Sequence, residues 1–446
     1  MNSDKAREIS ERALSFTSAD EAEVILQGGA SSLTRFANNK IEQNVNESGY
    51  SISVRTAFGK KVGRASTNNF DDASLKKAVE SAEIIAKFQK EDETLLALPE
   101  PQEYGKIDNY VEATAAFSPT DRADAVAGLI NRCRTESGLT TAGIFSDEAQ
   151  YLALANSKGL FAYDRMTSAV FSGTVMTDDS AGWAEDNNKD VSKIDLEGVA
   201  ETAIDKALKS REPVAIEPGE YTVVLEPAAS ANLVIFLGWL AFGGLAYQEG
   251  RSFLSGKLGE KVFGDNINID DDVYHELSGG LPFDFEGIPR RKVALVENGV
   301  AKSVVHDRKT ALKEGVESTG HGLPVPNTSG PIPLNVVFQP GGVSKEEMIA
   351  STKKGVLVTQ FHYTNTVNPM KLMVTGMTRN GTFLIEDGKV TKPVKNMRMT
   401  ESLVKILNNV DMIGKDLLKC RGFFGGGLVV PSLKVNNFTF SSGTDF

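Results

Sequence analysis

Between Pro227 and Gln248 the chain has no charged residue, no His and no Cys. At the centre of this run lies Leu233-Val-Ile-Phe-Leu-Gly-Trp-Leu-Ala-Phe242. Charged residues make up 24% of the chain, so a run like this must leave water, into a protein core or a bilayer. A membrane-spanning helix needs about 20 predominantly apolar residues. The apolar core here is roughly half that length, and Pro227, Ser230, Asn232 and Gly243-Gly244 flank it. It has no Lys/Arg cluster of the kind that marks a cytoplasmic end. The run is read as a helix buried in protein, and any fold must build a core around it.

The 446 residues suggest two or three domains. The formal net charge of −11 argues against non-specific nucleic-acid binding, which needs basic surface. The locally basic strings Lys60-Lys61-Val-Gly-Arg64 and Arg290-Arg291-Lys292 read as solvated strand ends. Two cysteines far apart, Cys133 and Cys420, exclude a disulfide scaffold and fit a reducing cytosol. Met1-Asn-Ser-Asp-Lys5 opens into a helical pattern without the apolar core of a signal peptide. A cytoplasmic protein with no membrane and no nucleic-acid partner is expected.

Ser3 or Asp4 can cap a first helix. Ala22–Leu26, Leu33–Phe36 and Tyr50–Arg55 read as strands, the last alternating polar with apolar. A helix over Asp72–Lys87 has Leu75, Ala78, Val79, Ala82, Ile85 and Ala86 on its apolar face. Ser118-Pro-Thr-Asp121 starts another, running to about Thr135, with Cys133 as a small buried residue on it. Strands return between Thr140 and Met176, with a turn at Asn156–Gly159. A helix over Leu196–Lys209 closes this half, and Arg211–Gly219 reads as a linker.

The second half is strand-rich. Tyr221–Leu225 is a strand, and the apolar run and the segment Ser252–Val262 follow it. Asn298-Gly299 and Asp387-Gly388 are the dipeptides of two-residue hairpin turns. Ser344–Ser351 and Thr400–Asn408 read as short helices, and a strand around Leu428–Val435 ends the pattern. Helices and strands alternate without a βαβ rhythm. The expected fold is α+β in two domains, residues 1–212 mixed and residues 213–446 rich in strand.

No HExxH, paired CxxC, GxSxG or P-loop is present. Gly425–Gly427, between aromatic and strand-like residues, read as a strand bend or tight turn rather than a phosphate cradle. No two of the four histidines, His275, His306, His321 and His362, lie within one helix turn. His321, His362 and Cys420 are the metal-ligand candidates that a fold would have to assemble. Asn268–Asp272 resembles a weak cation loop but lacks EF-hand spacing and the distal Glu. Asp284 and Glu286 alternate within Pro282–Pro289 and so share one side of an extended segment. They suit a peptide amine or a metal, with simple solvation the plainer expectation.

Six strings, in order, carry a resemblance. They are Thr34–Gln43 (TRFANNKIEQ), Val62–Asn68 (VGRASTN), Ser252–Val262 (SFLSGKLGEKV), Pro282–Pro289 (PFDFEGIP), Leu295–Gly299 (LVENG) and Gly355–Thr359 (GVLVT). Together they resemble the TldD/PmbA (TldD/TldE) family, also labelled modulators of DNA gyrase. The resemblance implies a cytosolic zinc-peptidase system acting on unfolded or flexible peptides, typically a heterodimer of a TldD and a TldE chain. In TldD chains a helix just before the SFLSGKLGEKV-like string carries HExxxH, and a later Cys completes the zinc site. Here that position, about residues 228–249, is the charge-free run. Ile235–Leu240 stand where ligands are expected, Glu249 lies beyond the run without His partners, and Cys420 matches the distal Cys. Phe361–Thr366 and Thr375–Ile385 depart from the commonest TldE pattern.

The expected function is a TldE/PmbA-like subunit, itself non-catalytic, with no catalytic or cofactor-binding residue. Zinc is expected in a TldD-like partner, and self-association is the other expected assembly. The alternatives are a stand-alone metallohydrolase rearranged around His321, His362 and Cys420, and a regulator of the gyrase-modulator type.

Overall fold

The structure, a computed structural model, describes residues 1–136, 138–421 and 427–444. Its first half is built on one antiparallel sheet of strands β1 (Glu21–Ala37), β2 (Lys40–Phe58), β3 (Lys61–Thr67), β4 (Thr140–Asn156), β5 (Phe161–Met176) and β6 (Ala181–Asn188), in the order β3-β2-β1-β4-β5-β6. The strands expected at Ala22–Leu26 and Leu33–Phe36 are one continuous strand. The glycines and serines between them carry no apolar alternation, yet Gln27–Ser32 pair on both sides.

Four helices cover one face of this sheet, and their element order repeats. The helix Ser3–Leu14, β1 to β3 and the helix Asp72–Phe88 form one set; the helix Pro119–Thr135, β4 to β6 and the helix Leu196–Lys209 form the next. The repeat extends to packing detail. A Cβ on Gly63 in β3 would meet Ala82 O at 2.0 Å and Ala86 N at 2.4 Å; on Gly182 in β6 it would meet Ala203 O at 2.2 Å and Ala207 N at 2.3 Å. In each set a strand glycine and a helical Ala-x-x-x-Ala pair bring backbones together, where no side chain fits. Ser118 and Asp121 form the capping box implied by Ser118-Pro-Thr-Asp121. On the helix Asp72–Phe88, Ile85 is exposed while Glu83 is buried, because Glu83 accepts hydrogen bonds from Thr17 and Ser18.

The second half holds β7 (Gly219–Leu225), β8 (Ile269–Asp271), β9 (Val293–Glu297), β10 (Val300–Ala301), β11 (Asn335–Phe338), β12 (Lys354–Asn368), β13 (Met373–Glu386), β14 (Lys389–Pro393), β15 (Met397–Ser402), β16 (Val410–Arg421) and β17 (Gly427–Gly443). They form one sheet, ordered β10-β9-β8-β11-β17-β15-β13-β12-β7, with β14 on β13 and β16 on β17. Strand β7 also pairs with β17, so β7, β12, β13, β15 and β17 close into a ring. Val223 and Leu225 join the larger core, while Val224 between them packs with Met348, Leu357 and Ile385 on the other side. A strand buried on both faces reads as a continuous apolar run, as Tyr221–Leu225 does.

The fold is α+β, as expected. The turns Asn298-Gly299 and Asp387-Gly388 have positive φ at all four residues. Ser252–Val262 is built of turns, and Thr400–Asn408 divides between the end of β15 and the helix Leu403–Asn408. Gly425 and Gly426 lie outside the described residues; Gly427 opens β17 opposite Arg421. No helix among the described residues is long and apolar enough to cross a membrane.

Candidate functional site

The charge-free run folds as the helix Pro227–Ala241 followed by the short helix Gly244–Gln248. Pro227 suits the first helical position, where its missing N–H costs nothing. The helix lies against β12 and β17, with Leu233, Val234, Phe236 and Leu237 in the largest core. Each such side chain contributes about 1.5–3 kcal/mol on burial, which accounts for a helix with no ion pairs along its length. Its polar atoms serve structure. Asn232 accepts the Phe361 N–H of β12 at 2.9 Å, and Ser252 Oγ donates to Ala241 O at 2.6 Å to close the last turn.

Charge appears only at the head of this helix. Glu226 is its N-cap, but its carboxylate is held by Lys206 Nζ at 2.5 Å and Lys345 Nζ at 2.8 Å. Burial opposes ionisation, yet the two ammonium groups outweigh it and hold the carboxyl at about 2. Lys206 belongs to the first half of the chain, so this buried ion pair also joins the two sheets' layers. It was missed in the sequence, where Glu226 merely preceded a proline.

The metal-ligand candidates lie in separate surroundings. His321 is buried, its Nε2 2.9 Å from Asp271 Oδ1 and its Nδ1 against Thr319. Burial pushes His321 down, and the neighbouring Asp271 carboxylate opposes that shift. His362, on β12, lies 2.8 Å from the Arg379 guanidinium. Cys420 lies on β16 opposite Leu428, and burial, then Glu185, pushes its thiol up to about 12.

Two acidic segments differ from expectation. Asp270 and Asp271 belong to β8, not to a cation loop. Asp271 is fully buried, with Arg290 Nη2 at 3.1 Å and the Leu334 and Asn335 N–H groups at 2.8 Å. Burial resists its ionisation, but His321, Arg290 and these donors hold it well below the ordinary carboxylate range. Arg290, expected to be solvated, is therefore buried as Asp271's partner. Asp284, also expected in solvent, is buried because the loop folds around it. Oδ1 accepts the Glu286 and Ile288 N–H groups at 2.9 Å, and Oδ2 accepts that of Gly322 at 2.7 Å. Burial outweighs these donors and raises Asp284 to about 6. Glu286, bonded through Oε2 to the Arg308 N–H at 2.9 Å, rises to about 7 through burial and then the neighbouring Asp284. The two form a carboxyl pair, Asp284 buried and Glu286 half-buried, beside a cleft between the halves of the chain.

Family models described as PmbA/TldA metallopeptidase domain 1, central domain and C-terminal domain match residues 22–86, 98–211 and 218–442. The chain belongs to the PmbA/TldD metallopeptidase family. It is 29% identical over 243 residues to a metalloprotease of Methanothermobacter thermautotrophicus, covering 53% of this chain and 52% of that one. The match thus spans about half the length of that relative. A metalloprotease of Methanocaldococcus jannaschii is 24% identical over 433 residues, covering 92% and 94%. The crystal structure of TldE from Thermococcus kodakarensis superposes with a TM-score of 0.88 at 25% identity, over 97% of this chain and 99% of that one.

Zinc is the metal this PmbA/TldD family member's resemblance implies, and the donors present do not fit it. Structural and catalytic zinc sites need three or four N, S or O ligands converging on one point. The helix Pro227–Ala241 offers none. Among the described residues no group of three His, Cys, Asp or Glu side chains is placed to hold a metal.

Proposed function

We propose that this chain is a TldE-like, non-catalytic subunit of a metallopeptidase acting on unfolded or flexible peptides, the zinc centre being carried by a TldD-like partner. One observation supports this above the others. The helix that stands where the family's metal-binding helix is expected is filled by core side chains instead of ligands. A core of that kind has no room to rearrange into a site without losing several buried contacts. The assembly proposed is a heterodimer with the TldD-like chain, with pairing to a second copy as the alternative.

The test is reconstitution. The purified chain alone should hold substoichiometric zinc by elemental analysis and leave unfolded casein intact. Mixed with an HExxxH-bearing relative encoded in the same genome, it should co-elute on size exclusion and raise casein cleavage. Stoichiometric zinc and cleavage by the isolated chain, abolished by Ala at His321, His362 or Cys420, would establish the stand-alone hydrolase instead.

A further inference from the structure

Three strands of the first sheet set Glu23, Arg55 and Arg64 in one row: the register places Glu23 opposite Arg55, and Arg55 opposite Arg64. The row leaves the sheet on the face opposite Val24 and Val54, which pack under the helices. Arg55 Nε lies 3.4 Å and Arg64 Nη2 3.6 Å from the same oxygen, Glu23 Oε1. Both separations are longer than a good N–H···O hydrogen bond, and like charges directly opposite across strands repel. One carboxylate therefore serves two guanidiniums, leaving an excess positive charge, although the side chains of Arg55, Arg64 and Glu23 are only 13%, 28% and 6% exposed. Burial lowers Arg64, Glu23 offsets this only in part, and Arg55 adds to it.

This row walls a cleft of about 260 Å³. The other cations at the cleft are engaged: the Arg308 guanidinium donates to Ala97 O, and Lys309 Nζ reaches Asp92 and Thr94. The acidic groups opposite accept hydrogen bonds from the backbone, Glu286 from the Arg308 N–H and Asp307 from the Thr310 N–H it caps. Val62, Leu95, Leu96, Phe285, Leu323 and Val325 make up the apolar lining. The volume falls just below the ~300 Å³ at which drug-sized ligand pockets begin. It suits one residue, with an anionic end for the row and an apolar side chain for the lining.

We infer that this cleft binds the free α-carboxylate of an apolar C-terminal peptide residue, with Arg55 and Arg64 as its charged anchors. Guanidinium forks match a carboxylate in shape as well as charge. The choice of a peptide over another apolar carboxylate rests on the peptidase-subunit reading; recognition of the carboxylate by the row does not.

Isothermal titration of the isolated chain tests it, with N-acetyl-leucine, N-acetyl-leucinamide and inorganic phosphate as probes. N-acetyl-leucine should bind, and the amide and phosphate should each bind at least about tenfold more weakly, since one lacks the charge and the other the apolar body. Arg64→Gln should weaken N-acetyl-leucine about tenfold. Val325→Trp, at a half-exposed residue lining the cleft, should block it without altering charge, so the result does not depend on Arg64→Gln folding normally. Equal binding of acid and amide, equally tight phosphate, or undiminished binding in both variants overturns the assignment. Binding of N-acetyl-leucine by a chain that never stimulates a TldD-like partner would sink the peptidase-subunit reading and leave the carboxylate site standing. Stimulation without binding would do the reverse.

Discussion

The helix Pro227–Ala241, largely buried except at Trp239, and the cleft beside Glu23 treat charge in opposite ways. The helix carries charge only at its head, where Glu226 is matched by two lysines. The cleft sets two carboxyl groups, Asp284 and Glu286, side by side, and across from them two guanidiniums on one carboxylate. In the first region every charge is compensated and the surroundings are hydrocarbon, which is a recipe for stability and for chemical silence. In the second, burial is left uncompensated, and such imbalance concentrates at functional sites. On the reading proposed above, the position where the family's metal helix is expected serves as structural support, and the uncompensated charge lies at the joint between the two sheets.

Asp271→Ala should cost about 3–5 kcal/mol by stranding Arg290 in the interior, read as a lower urea midpoint at constant slope. A loss under ~1 kcal/mol would mean that the wall beside the cleft is not held by charge. Leu237→Ala should cost about 3 kcal/mol as a cavity in a packed core; a negligible change would show the helix to be loosely seated.

Acid should separate the two glutamates. Glu226 falls from 4.5 in the unfolded chain to about 2 in the folded one. Its contribution, about 3 kcal/mol, is therefore complete above pH 4.5 and lost as pH falls through 2. Glu226→Gln should flatten the stability profile between pH 5 and pH 2, and an unchanged profile would remove the lysine clamp from the account. Glu286 has the reverse sign, rising from 4.5 to about 7, so the folded state loses stability as pH climbs from 4.5 to 7. Glu286→Gln should stabilise the protein at pH 8 by about 1–2 kcal/mol, since the pair titrates as a unit and the amide keeps an acceptor for Arg308. Destabilisation at pH 8 would show the carboxylate to be wanted in its charged form.

Much of the scaffold could be read from local pattern. Tyr221–Leu225, the caps at Ser118 and Ser344, and the two hairpin dipeptides are settled by neighbours in sequence. The buried nature of the Pro227–Gln248 run was legible for the same reason, because a charge-free stretch states its own environment. The cleft was not. Glu23, Arg55 and Arg64 meet only through strand register, and nothing local distinguishes them from solvated strand residues. Asp284 and Glu286 were visible as a pair, but the Gly322 and Arg308 N–H groups that bury them come from distant loops. The duplication in the first half was hidden because Gly63 and Gly182 share a packing role rather than a sequence string.

The strand ring has a consequence for the order of events in synthesis. Strand β7 takes β12 as one neighbour and β17 as the other, with Tyr221 opposite Phe438. Until β17 has left the ribosome, β7 and β15 each present an unpaired apolar edge. Pairings this distant in sequence form slowly, and open edges recruit other chains while they wait. The nascent protein therefore passes through a stage in which its first sheet can be complete while its second half still has open edges, and a chain stopped before residue 427 should be recovered in inclusion bodies rather than as a working fragment.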